Sequence, residues 1–124
     1  MEKKKINYGV IGTGHIGKYH IQQIKNINNA QLIGVYDINQ NQSKAVSKKY
    51  DTVSFNNLYD LLKQCDALSI ATPAISHYNI AKEALNNMCH VFMEKPITTS
   101  VKDAQELLVL AQKQGLSIQV GHIE

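Results

Sequence analysis

The chain has 124 residues, 44% of them apolar and 19% charged. That is the make-up of one globular domain spanning 1–124, long enough to bury roughly two-thirds of its unfolded surface. Its net charge is only +3, all thirteen basic residues are lysine, and the single basic cluster, Lys3-Lys4-Lys5, sits at the terminus, so no nucleic-acid surface is expected. No apolar run is long enough to span a membrane, and the run from Ile6 to Ile11 is too short for a secretory leader, so a cytoplasmic protein is expected.

The first predicted strand is the apolar run Tyr8-Gly9-Val10-Ile11. Gly12-Thr13-Gly14-His15-Ile16-Gly17 follows, a G-x-G-x-x-G turn, and then a helical pattern through Ile16, His20, Ile24 and Ile27. A second strand, Gln31 to Asp37, ends in a carboxylate twenty positions after Gly17. Strand, glycine turn, helix and strand-ending acid together form the dinucleotide-binding βαβ signature, whereas the glycine motif alone would be weak. Gly12 permits the tight turn, Gly14 lets a pyrophosphate approach the backbone, and Gly17 allows close helix packing. The free N–H groups opening the helix suit a diphosphate, and there the backbone of His15 matters more than its imidazole. Asp37 is placed to accept hydrogen bonds from both ribose hydroxyls of an adenosine. Its charge repels a 2′-phosphate, and Ile38, Asn39 and Gln40 supply no cation, so NAD is expected over NADP.

Ser43 to Tyr50 reads as a short helix, Thr52 to Phe55 as a third strand, and Asn57 as the cap of a helix bearing Leu58, Leu61, Leu62 and Cys65. Asp66 to Ala71 is a fourth strand, ended by Thr72-Pro73. Ala81, Ala84, Leu85 and Met88 mark the apolar face of the next helix, which His77 opens. His90 to Met93 is a fifth strand. Ser100 and Asp103 suggest a capping box before a helix that buries Ala104, Leu107, Leu108 and Ala111. Gly115 stops that helix, and Ser117 to Val120 is a sixth strand. Cys65 and Cys89 form no C-x-x-C pair and read as small buried residues in a reducing compartment. No His, Cys and carboxylate set has metal-ligand spacing.

Strands alternating with helices imply right-handed parallel crossovers, hence an α/β Rossmann fold with a doubly wound parallel sheet of about six strands in the order 3-2-1-4-5-6. Ligands in such sheets sit beyond the carboxyl ends of the strands, where the order reverses. Around that crevice fall Gly12 to Gly17, Thr72-Pro73, Glu94-Lys95-Pro96 and Gly121-His122.

That succession, with Ala71-Thr72-Pro73, His77, and above all Glu94-Lys95-Pro96, resembles the Gfo/Idh/MocA family over the whole chain. The resemblance implies an NAD(P)-dependent oxidoreductase acting on a secondary alcohol of a sugar, cyclitol or nucleotide-sugar. It also implies a second, substrate-binding domain that this chain lacks, so the chain reads as the amino-terminal cofactor domain. The implied partners are a small sugar-like substrate and, at full length, further copies of the chain. The implied cofactor set is Gly12, Thr13, Gly14, His15, Ile16, Gly17, Asp37, Ile38, Ala71, Thr72, Pro73, His77, Glu94, Lys95 and Pro96. Lys95 is the implied catalytic group, its ammonium hydrogen-bonding the substrate hydroxyl and stabilising a developing alkoxide. Read without the resemblance, Lys95 is a surface lysine in a turn. Glu94 is expected to orient Lys95 or a ribose hydroxyl, and His77 either caps its helix or touches the cofactor. His122 is expected to meet substrate or nicotinamide, and His20 and His90 to be structural. The competing function is a non-catalytic NAD(H)-sensing domain, which has no need of a cation beside the nicotinamide.

Overall fold

Five short apolar runs, each returned to the same edge by a helix, leave only parallel pairing. The computed structural model describes residues 5–121; His122 and most of the basic cluster, Lys3-Lys4, fall outside the described residues. Strands β1 (Ile6–Ile11), β2 (Ala30–Tyr36), β3 (Ala67–Ile70), β4 (His90–Glu94) and β5 (Ile118–Gly121) form one parallel sheet in the order β2-β1-β3-β4-β5. The helices are α1 (His15–Lys25), α2 (Gln40–Lys49), α3 (Leu58–Leu62), α4 (His77–Asn86) and α5 (Val101–Gln114), with a 3-10 turn at Ala74–Ser76 ahead of α4.

The predicted order holds, but the sheet has five strands rather than six. The segment expected as the third strand, Thr52 to Phe55, contributes a single bridge, Ser54 to Val35, beside β2. Val35 donates to the carbonyl of Val53 and accepts from the N–H of Phe55. The ladder stops there because Asp51, at φ +54°, turns the chain in, and Asn57 already caps α3. Phe55 closes the gap by lying against Gly34, where a Cβ would come within 2.2 Å of its ring.

Side-chain alternation divides the core between the two faces. Val10 and Val35 meet Ile21 and Ile24 of α1 and Val46 of α2 on one face. Ile11, Leu68, Ile70, Val91 and Met93 meet α3, α4 and α5 on the other. The anticipated caps are present: Asn57 accepts from the N–H of Tyr59, Ser100 from that of Asp103, and Gly115 ends α5 at φ +71°. Helix α2 begins earlier than expected because the side chain of Asn39 accepts from the N–H of Gln42. Two expected core residues are solvent-facing. Met88 lies past the end of α4 with φ +64°, and Leu108 lies beside the Leu107–Ala111 stripe that α5 buries.

Candidate cofactor site

The carboxyl ends of β1, β2, β3 and β4 share one edge of the sheet, and connections leave β1 and β3 in opposite directions. A cleft of about 550 Å³ opens at that reversal. It is lined by Gly12 and Gly14 from the glycine turn, Asp37 and Ile38 after β2, and Ala71, Thr72 and Pro73 after β3. Seven of the expected cofactor residues are thus gathered in one concavity.

The glycines act in three different ways. Gly12 takes φ +97°, and a Cβ there would sit 2.7 Å from the carbonyl oxygen of Ala71, so the turn can press against the β3 loop only without a side chain. A Cβ on Gly17 would come within 1.8 Å of the carbonyl oxygen of Gly12. Its constraint is therefore the fold of the turn as well as helix packing. Gly14 differs: nothing lies within 4 Å of where its Cβ would be. That space lies beside the helix N-terminus, whose first turn contains no acidic residue and which no side chain caps. The orphan N–H groups of α1 are thus left for an anion to satisfy.

Asp37 is held in place. Its Oδ2 accepts from both the N–H and the hydroxyl of Thr13, each at 2.7 Å, and its Oδ1 from the N–H of Asn39 at 2.9 Å. Burial pulls its pKa upward, but these donors outweigh that and hold the carboxyl below its ordinary value. Among the described residues lining the cleft, Asp37 alone is charged. Thr13 is fully buried beneath it, and the exposed side chains of His15 and Ile16 lie outside the lining.

Glu94, Lys95 and Pro96 stand outside this cleft, at the end of β4. The Lys95–Pro96 peptide is cis, the Lys95 side chain is exposed, and its N–H donates to the carbonyl of Gly121 at 3.3 Å. His77 ties the two regions together. Its Nδ1 lies 2.9 Å from the carbonyl oxygen of Pro96 and its Nε2 3.0 Å from that of Thr72. Both ring nitrogens are therefore engaged by backbone, and the imidazole does not line the cleft. Glu94 turns toward α1, where its Oε1 lies 3.3 Å from Nε2 of buried His20. Phe92 meets the same imidazole edge-on at 5.2 Å. Burial pushes His20 below its ordinary value more strongly than Glu94 pulls it up.

Sequence reasoning missed the apolar wall of the cleft. Ile75 and Ile80 close it from the α4 side, and Leu58, expected in the core, reaches it from α3. An isolated Ile75 just after the strand-ending Thr72-Pro73, outside the periodic apolar pattern of the next helix, was the available signal. Gln42 was also missed; it lines the cleft and donates from Nε2 to the carbonyl of Thr13.

Residues 6–122 match the model of an oxidoreductase family with an NAD-binding Rossmann fold, GFO_IDH_MocA. The chain is 36% identical over 116 residues to a UDP-N-acetylglucosamine 3-dehydrogenase of Acidithiobacillus ferrooxidans, covering 94% of this chain and 36% of the relative. It is 35% identical over 118 residues to a glucose-6-phosphate 3-dehydrogenase of Bacillus subtilis, covering 95% and 33%. A solved structure of the Acidithiobacillus ferrooxidans UDP-N-acetylglucosamine 3-dehydrogenase superposes with a TM-score of 0.91 at 34% identity, covering 96% of this chain and 39% of that one. The chain spans about a third of the length of the curated relatives it matches.

Proposed function

Because this chain belongs to the Gfo/Idh/MocA oxidoreductase family, we propose that it binds NAD as the cofactor half of a dehydrogenase for a secondary alcohol of a sugar, cyclitol or nucleotide-sugar. One observation carries the reading. An uncapped helix N-terminus with open space at Gly14 stands beside a cleft whose one charged lining residue, among those described, is Asp37.

The α1 amides receive the diphosphate, and Gly14 clears its approach. Asp37 accepts an adenosine ribose hydroxyl on the Oδ1 lone pair that Asn39 and Thr13 leave free. A 2′-phosphate would meet that carboxylate with no cation in the described lining, which favours NAD over NADP. Ile38, Ile75 and Pro73 offer apolar surface to the adenine. When bound, the nicotinamide supplies the hydride acceptor or donor. Lys95, exposed at the β4 edge, holds the substrate oxygen with its ammonium and stabilises negative charge developing there. A sensing domain gives that cation no task. The catalytic reading also puts the protein in the cytoplasm, where the cofactor and a sugar-like substrate meet.

Calorimetric titration with NADH and NADPH tests the proposal. Saturable NADH binding, tighter than NADPH binding, is expected, with no sugar oxidation by these 124 residues alone. Absence of NADH binding would overturn it.

A further inference from the structure

The turn that carries Lys95 makes few hydrogen bonds, although Ile97 just beyond it packs on the core. Beyond the 3.3 Å bond from Lys95 N–H to Gly121 and a local bond from the Thr98 hydroxyl to the carbonyl of Ser100, its described connection to the rest of the crevice is His77. The Thr72 turn, in contrast, is held several times over. Ala71 donates to the carbonyl of Ile11 at 2.7 Å, and the Ser76 hydroxyl bonds to Thr72 Oγ1 at 2.6 Å and to the carbonyl of Pro73 at 2.7 Å. His77 therefore bridges two turns of the crevice wall that no other described hydrogen bond joins. Its ring is 3% exposed, so water does not substitute for either contact.

We infer that His77 is a positioning residue: it clips the Lys95–Pro96 turn to the Thr72–Pro73 wall and so sets the nicotinamide-side edge of the crevice relative to the adenosine-side cleft. Both of its partners are carbonyl oxygens, which only accept. A ring N–H donates to one of them while the rigid imidazole spans the distance to the other, which fixes the separation of the two turns. The consequence for cofactor binding rests on the function proposed above; the clip itself does not.

Two measurements on this chain test the inference. In His77→Gln, both N–H donors sit on one nitrogen and do not span the two carbonyls that the separate ring nitrogens reach. NADH affinity is expected to fall roughly three- to tenfold, the scale of one lost hydrogen bond. Affinity for ADP-ribose, which lacks the nicotinamide, is expected to stay within about twofold. Equal losses for the two ligands, or no loss for either, would overturn the positioning role. A long-range proton–nitrogen spectrum of the unmodified chain decides the clip even if the variant does not fold. A slowly exchanging proton on a His77 ring nitrogen is expected, and rapid exchange with water at both nitrogens would overturn it. Failure of the unmodified chain to bind NADH would overturn the proposed function instead, leaving the ring spectrum to judge the clip.

Discussion

Thr13 gives Asp37 two donors at a single oxygen: its N–H and its hydroxyl both reach Oδ2 at 2.7 Å. The residue inside the glycine turn thereby fixes the acid at the end of the neighbouring strand, and the NAD preference proposed above depends on both. Thr13→Val keeps the shape and removes the hydroxyl donor. It should cost about 1.5–3 kcal/mol in urea unfolding, the range for a hydrogen bond to a charged acceptor. It should also raise the Asp37 pKa, readable by carboxyl NMR titration.

Asp37→Ala should weaken NADH binding about tenfold while leaving NADPH binding unchanged or improved, because it removes both an acceptor and a repulsive charge. Parallel titrations with the two cofactors check this. An unchanged preference would remove Asp37 from its assigned role.

Gly14→Ala and Gly17→Ala should separate binding from folding. At Gly14 the backbone is extended (φ −75°, ψ −158°) and the Cβ site is open, so alanine should change stability by less than about 1 kcal/mol yet reduce NADH affinity more than tenfold. At Gly17 the clash with the Gly12 carbonyl should cost about 3 kcal/mol or more, or prevent folding. Denaturant midpoints and calorimetry on both variants distinguish the two cases.

The pKa of His20 is lowered by burial, so between that value and 6.5 the unfolded chain binds more protons than the folded one. His20 therefore lowers stability as pH falls below 6.5, and its effect levels off below the folded value. In His20→Gln, the part of the pH 8 to 5 stability change due to this residue should vanish, as urea midpoints across that range would show.

Burial raises the Cys65 thiol to about 12 and that of Cys89 to about 11. Neither forms appreciable thiolate at pH 8, so both should resist thiol reagents in the native chain and react fully in urea. Timed labelling followed by mass spectrometry reads this directly.

Signals confined to a few neighbouring residues are legible in the amino-acid order itself. The Gly12–Gly17 turn, the caps at Asn57 and Ser100, and the stop at Gly115 each depend on local backbone chemistry, and each lies where expected. Features decided at long range are not legible in that way. Thr52 to Phe55 has strand-like residues, but the turn at Asp51 and the cap at Asn57 leave it one bridge. Leu108 belongs to an apolar pattern wider than the stripe α5 can bury. The expectation that Glu94 addresses Lys95 or a ribose could not foresee that its carboxylate lies against His20, three helices and two strands away in sequence. The two carbonyls that occupy His77 likewise come from turns that only the folded sheet brings together.

The apolar interior is divided unevenly: a small group under α1 and α2, and a much larger one beneath α3, α4 and α5. Local opening is cheapest where the fewest hydrophobic groups must be exposed, so the α1 and α2 side should exchange its amide hydrogens first. The same side presents the proposed diphosphate seat at the start of α1. A ligand arriving there would brace the softer half of the molecule, so saturation should slow exchange most in α1 and least in α5.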